Sequence, residues 1–436
     1  MSQPAPVTFA SATRPDLGAL SGSALLDYLP TDGLAWLHRE RGFVSWGTGW
    51  RHDPGSGEGR FLRAALALHD AFASWDGQST PPIALAAFTF DPDTPGSFVR
   101  IPRHTLRTDG RVAELLNAYL LDVTDVADAV DTTVMAPAEQ PLIATTLPAQ
   151  ATADRVRYAG ASVPDLLWLD AVSAATRLID KGEVRKVVLA RDHAVWSKAP
   201  FDARVLARRL NQRFPQCFTF IAEGLVGASP ELLVRRQGSR IESLILAGTA
   251  ARGNDASSDA MFADTLMTSD KERDEHAFAV ASVRESLHDR CAELIIDPEP
   301  SLLRLDNVQH LATRVVGTLA ADARGLIPTA LEVAGALHPT AAVCGTPTHE
   351  ALQVIRALEG MDRGRYTGPV GWVDANGDGE FAIALRCAEL SGARARLFAG
   401  GGIVAASLPE AELEETRIKL HAMQQAIDPD LSSPPT

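Results

Sequence analysis

The chain has 436 residues, of which 46% are hydrophobic and 22% charged, a composition typical of a globular protein with one or two large cores. Acidic residues outnumber basic ones by 55 to 41, and no Lys/Arg-rich stretch is interleaved with aromatic residues, which argues against a nucleic-acid partner. There is no secretory leader pattern and no run of 18 apolar residues, so we expect a soluble, cytoplasmic protein with no membrane partner.

The first 155 residues carry strand patterns but few chemical signals. Residues 34–49 read as strand and turn, and PPIALAAFTFDPD predicts a short strand that ends at Asp-Pro turns. A Pro/Ala/Thr-rich stretch at 136–153 has no helical period and predicts a surface crossover. We expect residues 1–155 to form a divergent N-terminal part of the same fold as residues 156–428, with 429–436 as a tail.

From residue 164 onward, residues suited to catalysis accompany the regular patterns. The apolar spacing in DLLWLDAVSAATRLIDKGEV predicts an amphipathic helix that ends near Gly182, and RKVVLARD alternates as a strand. Lys186 lies on this apolar strand. It either reaches solvent from the strand end or is buried, where a low dielectric would favour the uncharged amine, a usable base.

Glu231 follows Ser229 and Pro230 at the start of the predicted strand ELLVRR. Proline is tolerated at a strand start because it cannot donate a hydrogen bond to the sheet. A carboxyl group just inside an apolar strand would have a raised pKa and could donate a proton. The alternative is an ordinary glutamate at the end of a hairpin.

Apolar spacing predicts one helix over 264–287, whose first half contains KERDEH. Glu272, Glu275 and His276 fall at i, i+3 and i+4, so they project from one face. Two carboxylates this close repel each other unless a proton or a cation lies between them. For such a run in isolation, a solvated charged face is the simpler interpretation.

A second group of glutamates near the C-terminus favours a metal site. Pro409 can begin a helix at its first turn, and Glu412, Glu415 and Lys419 then lie along one side of that helix. One glutamate from each of two helices, completed by substrate oxygens, suits a hard divalent ion. We therefore predict Mg²⁺ as the cofactor.

Between these two helices the sequence predicts a loop of small residues and a hairpin. The loop HPTAAVCGTP would let the backbone approach a ligand closely. DANGDG begins like a calcium loop, but Leu385 stands where a glutamate is needed, so a hairpin turn is predicted. Arg386 is predicted to end the strand FAIALR, on the same face as Glu380, where its guanidinium could clamp a carboxylate.

The chain resembles the chorismate-utilising enzymes, a family that comprises isochorismate synthase, salicylate synthase and the large subunits of anthranilate and aminodeoxychorismate synthases. The resemblance covers about residues 160–425 and rests on KVVLAR, GASPELLVR, LAGTAARG, KERDEH, HPTAAVCGTP, YTGPVGW, ALRCAEL and AGGGIVAASLPEAELEETRIKL. It implies an α+β fold in which large antiparallel sheets pack face to face with helices outside. It also implies that residues 156–428 form the catalytic region and bind chorismate with Mg²⁺ in a central cleft.

The resemblance further implies roles for the matched residues. Lys186 would activate water and Glu231 would be the general acid, while Glu275 and Glu415 would bind Mg²⁺. The positions expected to contact the substrate are Gly248, Thr249, His338, Ala342, Arg386, Gly400 and Lys419.

Within the family, Lys186 and Ala247 favour water over ammonia as the nucleophile, because ammonia-using members typically lack this lysine and one branch carries Lys in place of Ala247. The implied reaction adds water at C2 of chorismate with loss of the C4 hydroxyl, giving isochorismate for menaquinone or siderophore biosynthesis. A salicylate synthase is an alternative, since Tyr366 and Val343 occupy positions that resemble those distinguishing such enzymes. An ammonia-using synthase and a non-catalytic binding relative are further alternatives. We expect a monomer or a weak homodimer.

Overall fold

The computed structural model describes residues 7–13, 17–120, 144, 156–306 and 308–431. Apart from residue 144, the predicted crossover at 136–153 lies outside these residues. The strands are β1 Val7–Thr13, β2 Leu34–His38, β3 Arg41–His52, β4 Ile83–Ala87, β5 Phe98–Thr108, β6 Ala113–Leu120, β7 Arg157–Gly160, β8 Lys186–Trp196, β9 Phe218–Ala222, β10 Leu225–Ser229, β11 Leu232–Gln237, β12 Arg240–Ala251, β13 Cys291–Ile296, β14 Ser301–Arg304, β15 Val308–Leu319, β16 Gly345–Thr346, β17 Pro369–Asp374, β18 Gly379–Ile383, β19 Cys387–Ser391 and β20 Arg394–Ile403.

The helices are α1 Arg60–Phe72, α2 Asp165–Asp180, α3 Ala203–Arg213, α4 Ala256–Thr268, α5 Asp270–His288, α6 Ala330–Leu337, α7 Thr348–Leu358 and α8 Pro409–Ile427, with a short 3₁₀ helix at Ser23–Tyr28. Within the described ranges, no helix combines the length and the apolar character needed to cross a membrane.

All the strand pairings are antiparallel, and they branch at β5, which pairs with β3, β4 and β6. One series of neighbours runs from β5 through β3, β2, β9, β10, β19 and β20 to β8, and we call it the first arm. The other runs from β5 through β4, β17, β18, β11 and β12 to β15, and we call it the second arm. Strands from the N-terminal part therefore join both arms into one continuous sheet.

The two arms face each other across an apolar core. This core consists almost entirely of strand residues, such as Trp36 and Phe220 from the first arm and Leu232, Val370 and Ala382 from the second. Two other cores lie between strands and helices, so the helices cover the outside of the sheet. The predicted α+β architecture, with antiparallel layers face to face and helices outside, is confirmed.

The predicted helix over 264–287 is two helices in the structure, because the chain is extended at Ser269. The Ser269 hydroxyl accepts a hydrogen bond from the backbone N–H of Glu272 at 3.4 Å and so caps the start of α5. The break allows α5, which carries the glutamates, to take its own direction. The predicted start of α8 at Pro409 is confirmed.

The predicted turn at DANGDG is confirmed, since it joins β17 to β18 and the Asp374 carboxylate accepts from the backbone N–H groups of Asn376 and Asp378. The predicted continuation of this strand to Arg386 is wrong. β18 ends at Ile383, and Arg386 has a φ of 44°, in the left-handed region. The chain turns after Ile383, so Arg386 is separated from Glu380, which lies near the start of β18. The Glu380 carboxylate accepts a hydrogen bond from Trp36 Nε1.

Candidate active site

A cleft of about 700 Å³, counting the part open to solvent, lies where β8 and β20 of the first arm approach β12 and β15 of the second. Its lining includes eight of the predicted site residues: Glu231, Gly248, Thr249, Glu275, Ala342, Arg386, Gly400 and Lys419. Two more, Lys186 and Glu415, lie directly behind this lining, where they form ion pairs with Glu275 and Lys419. The structure therefore brings ten of the eleven predicted site residues together.

Glu231 stands between Pro230 and the first residue of β11, with its carboxyl group in the cleft and only 4% of the residue exposed. Burial raises the pKa of this carboxyl to about 8, although the positive charges of Lys186 and Arg386 act in the opposite direction. Glu231 is consequently protonated at neutral pH and has a proton to donate.

Lys186 is the first residue of β8 and is fully buried. Its Nζ lies 3.1 Å from Glu275 Oε1 on α5. Burial alone would raise the pKa of Glu275, but the neighbouring lysines, Lys186 first among them, outweigh it and the pKa is lowered. The Glu275 carboxylate is therefore ionised beside Lys186 Nζ, and both groups are shielded from bulk water.

Gly402 on β20 makes room for this ion pair. A Cβ atom at Gly402 would lie 2.1 Å from Glu275 Oε1 and 2.9 Å from Lys186 Cε. Both distances are shorter than van der Waals contact, so any side chain at this position would displace the two charged groups.

Gly402→Ala is therefore expected to reduce turnover by about a hundred-fold, since a displacement of about 1 Å in a catalytic group can have an effect of this size. A milder change for comparison is Gly401→Ala, whose Cβ would meet Glu412 Oε2 at 3.0 Å but neither Lys186 nor Glu275, so a smaller loss is expected. Turnover and melting temperature should be measured for both. Equal activities in the two variants would contradict this reading of the Gly402 contact.

Four carboxylates from two helices meet beside the cleft. They belong to Glu272 and Glu275 on α5 and to Glu412 and Glu415 on α8. Burial, followed by the charge of Glu275, raises the pKa of Glu272. Burial, followed by the charge of Glu415, raises the pKa of Glu412. The like charges thus repel each other, as the sequence predicted for such a group.

Lysine side chains partly neutralise these carboxylates. Lys271 Nζ lies 2.8 Å from Glu412 Oε1 and 3.4 Å from Glu272 Oε1, so it bridges α5 and α8. Lys419 Nζ lies 2.5 Å from Glu415 Oε1. With the Lys186 pair, three lysines face four glutamates, which leaves the cluster with an excess of negative charge.

This cluster fits a divalent cation. Glu412 Oε2 is buried without a hydrogen-bond partner among the described residues, and carboxylate oxygens are the ligands that Mg²⁺ prefers. The glycines of β20 leave open the space beside Glu275 and Glu412 that side chains would fill. Over the described part of the chain, no three His, Cys, Asp or Glu side chains are arranged to hold a metal by themselves. The remaining ligands of a bound Mg²⁺ would be water or substrate oxygens.

Arg386 brings a buried positive charge to the cleft lining. It is 6% exposed and makes no salt bridge with any residue in the described ranges. Burial lowers the pKa of its guanidinium, and nearby acidic groups offset this only in part. A buried guanidinium without a carboxylate partner is suited to bind a carboxylate of a ligand.

Backbone groups of the predicted site residues also face the glutamate cluster or the cleft. Gly248, with a φ of 79°, forms a bulge in β12, and the next N–H, that of Thr249, donates to Glu272 Oε2 at 3.0 Å. On the other arm, Lys419 Nζ donates to the carbonyl oxygen of Gly400 at 3.0 Å. The glycines thus allow strand backbones to hold side chains of α5 and α8.

The loop HPTAAVCGTP supplies Ala342 and Val343 to the lining, next to Tyr366. The Tyr366 ring stacks on Phe398 with ring centroids 5.0 Å apart, and burial raises the pKa of its hydroxyl. Tyr366 and Val343, on which the salicylate synthase alternative rests, therefore both line the cleft. Tyr366 presents a neutral phenol and Val343 an apolar side chain.

The structure does not bring His338 to the cleft. Its Nε2 lies 3.1 Å from the carbonyl oxygen of Phe90, and its ring packs near Phe61 and Phe90. Burial lowers the pKa of His338 to about 3, so the ring is neutral. The loop therefore contributes Ala342 and Val343 to the cleft lining, whereas His338 packs near Phe61 and Phe90.

His310 is a cleft residue that the motifs did not single out. It lies on β15 opposite Thr249, and its Nδ1 is 3.1 Å from Thr249 Oγ1 and 3.3 Å from the carbonyl oxygen of Gly248. Its Nε2 is 2.7 Å from Arg386 Nη2. The available signal was the polar pair Gln309-His310 near the start of the strand VQHLATRVVGTL.

Comparisons with known proteins identify similar sequences and structures. A family model described as chorismate binding enzyme matches residues 46–428. A Mycobacterium tuberculosis protein, provisionally named isochorismate synthase MenF, is 42% identical over 288 residues, which are 63% of this chain and 76% of that protein. Isochorismate synthase DhbC of Bacillus subtilis is 41% identical over 263 residues, 58% of this chain and 65% of that protein.

Among solved structures, the menaquinone-specific isochorismate synthase MenF from Escherichia coli is similar with a TM-score of 0.79 and 26% sequence identity. The similarity covers 98% of this chain and 96% of that chain, so it includes the N-terminal strands as well as the cleft. Because the family model also spans most of the sequence, the chain belongs to the chorismate binding enzyme family.

Proposed function

We propose that this protein is an isochorismate synthase, which adds water at C2 of chorismate and removes the C4 hydroxyl. The observation that carries the proposal is a buried carboxyl group in the cleft, that of Glu231, with the buried Lys186 directly behind the lining, where it pairs with Glu275. An acid and a potential base are the two groups that this exchange of hydroxyl groups requires. The names of the relatives support the same reaction.

In the proposed reaction, water loses a proton to the Lys186 amine and its oxygen bonds to C2. The ring double bonds shift, the C4–O bond breaks, and the leaving oxygen takes the proton of Glu231 and departs as water. Glu231 is already in the acid form at neutral pH, because its pKa is about 8. In this scheme Lys186 acts in its amine form, from a position 3.1 Å from the Glu275 carboxylate.

The rest of the cleft binds the two carboxylates of chorismate. Arg386 supplies a guanidinium without a carboxylate partner among the described residues, and Lys419 supplies an ammonium group that already lies against Gly400. Glu275 and Glu415 would hold Mg²⁺, which would neutralise a substrate carboxylate that the acidic cluster would otherwise repel.

The test is a product assay with chorismate and Mg²⁺ in ¹⁸O-labelled water. We expect isochorismate with ¹⁸O in the C2 hydroxyl group, identified by chromatography and mass spectrometry. A reaction without protein controls for spontaneous decay of chorismate. Salicylate as the product would favour the alternative suggested by Tyr366 and Val343, and an aminated product formed only with ammonium would identify an ammonia-using synthase.

A further inference from the structure

We propose that His310 is a positioning residue that acts through Arg386, fixing its guanidinium in the orientation that binds a carboxylate of the substrate. This inference rests on the proposed function in so far as the ligand is chorismate. It assigns a role to a residue that none of the motifs identified.

The partners of His310 determine which ring nitrogen carries the proton. Arg386 Nη2 can only donate, so Nε2, at 2.7 Å, must accept. The carbonyl oxygen of Gly248 can only accept, so Nδ1, at 3.3 Å, must donate. Both contacts require the same neutral tautomer, and burial lowers the pKa of His310 well below its ordinary value. The imidazole is therefore a fixed acceptor for the guanidinium.

Arg386 depends on this acceptor because its surroundings offer little else. The residue lies beyond the end of β18 with a φ of 44°, so no alternating strand directs its side chain. Within the described residues, His310 is the hydrogen-bond partner of the guanidinium, and Arg386 Nε is buried without one. Nη2 is thus held in place, while the other nitrogens retain free N–H groups for a carboxylate.

The same imidazole connects Arg386 to the glutamate cluster. Its Nδ1 contacts Gly248 and Thr249, and the Thr249 N–H donates to Glu272 Oε2 at 3.0 Å. A continuous path of hydrogen bonds therefore runs from Arg386 through His310 and the β12 bulge to α5. His310 is placed to keep the carboxylate-binding group at a constant separation from the cation-binding side of the cleft.

Two replacements of His310 test the roles of its two ring nitrogens separately. In His310→Gln the amide oxygen can replace Nε2 as the acceptor for Arg386, whereas in His310→Asn the amide nitrogen can replace only Nδ1 as the donor to Gly248. Both should be made in a Glu231→Gln background, which is expected to bind chorismate without consuming it, and binding should be measured by calorimetry with Mg²⁺. We expect His310→Asn to weaken binding by about ten-fold or more and His310→Gln to restore most of the affinity.

A double-mutant cycle with Arg386→Ala tests whether the effect passes through the guanidinium. In that background, His310→Asn and His310→Gln should bind chorismate equally. The matched control is His276→Asn, because His276 is another buried imidazole, bonded to the Ala247 carbonyl oxygen and the Thr313 hydroxyl. It should lower the melting temperature similarly, but its effect on binding should be the same with and without Arg386.

The proposal is overturned if His310→Asn binds as tightly as the parent, if both replacements weaken binding equally, or if the effect persists unchanged without Arg386. These outcomes are independent of the product assay, because chorismate carries two carboxylates whatever its fate on the protein. Failure to form isochorismate would count against the proposed function alone.

Discussion

Glu231→Gln is expected to lower turnover by a factor of roughly a hundred to ten thousand, the usual contribution of a general acid, while the affinity for chorismate stays nearly unchanged. The amide has the size of the protonated carboxyl group and can donate a hydrogen bond, but it cannot release a proton to the leaving C4 oxygen. Turnover and chorismate binding should be measured on the same preparations. Near-normal turnover would show that Glu231 is not the acid.

The pH dependence gives a second measurement on Glu231. Since its pKa is about 8, the acid form is lost as the pH rises through that value, and turnover of the wild-type protein should fall above about pH 8. The folded-state pKa lies above the ordinary value of 4.5. The wild type therefore loses stability as the pH rises from about 4.5 to about 8, and Glu231→Gln does not share this loss. A melting temperature of the variant at pH 8 at or above that of the wild type would exclude misfolding as the cause of low turnover.

Variants of Lys186, the proposed base, should lose turnover as Glu231→Gln does. Lys186→Ala or Lys186→Gln removes the amine that takes the proton from water, so a loss within the same range of roughly a hundred to ten thousand is expected. Binding should survive, because Arg386 and Lys419 still face the cleft. If both the Lys186 and the Glu231 variants turned over normally with unchanged affinity, the two assigned roles would be wrong.

Glu275→Ala or Glu415→Ala is expected to abolish turnover and to weaken Mg²⁺ binding, with the fold retained. Each change removes a carboxylate from one of the two helices, and Glu272 and Glu412 are already bridged by Lys271. Mg²⁺ affinity should be measured by calorimetry, with turnover followed across a Mg²⁺ titration. Full activity of either variant in the presence of a chelator would refute the metal assignment.

Glu414→Ala is the matched control for the metal prediction. Glu414 lies on the same helix next to Glu415, but its side chain is 58% exposed and pairs with Arg417 at 3.4 Å. Its removal changes the net charge by the same amount without touching the cluster. Turnover and Mg²⁺ dependence like those of the wild type are expected.

The positions of Lys186 and of the glutamates on α5 and α8 could be predicted because they follow from regular periodicity, whereas the roles proposed for them came from the family resemblance. Once KERDEH and the stretch after Pro409 are helical, the faces of Glu275 and Glu415 are determined by the helical repeat. The break between α4 and α5 could also have been predicted, because Ser269 and Glu272 have the spacing of a helix cap. The prediction of a single helix overlooked this signal.

Arg386 and His310 could not be placed in this way. Strand alternation fails at Arg386 because the backbone enters the left-handed region, which a non-glycine residue seldom does and no local sequence signal requires. The role of His310 depends on the bulge at Gly248, which shifts the register between β12 and β15. The side chain of His338 could not be placed from the sequence either. A loop motif locates the backbone but does not determine which side chains line the cleft.

The branching of the sheet at β5 also constrains how the chain can fold during synthesis. β4 is made early, but its partner strand β17 pairs Ala87 with Val370, so one edge of β4 stays unpaired until most of the polypeptide has left the ribosome. Pairings that distant in sequence form slowly and leave strand edges open to other chains in the meantime. Chaperone dependence and aggregation of nascent chains should therefore be governed by β4 and β17, through pairing that is independent of any chemistry in the cleft.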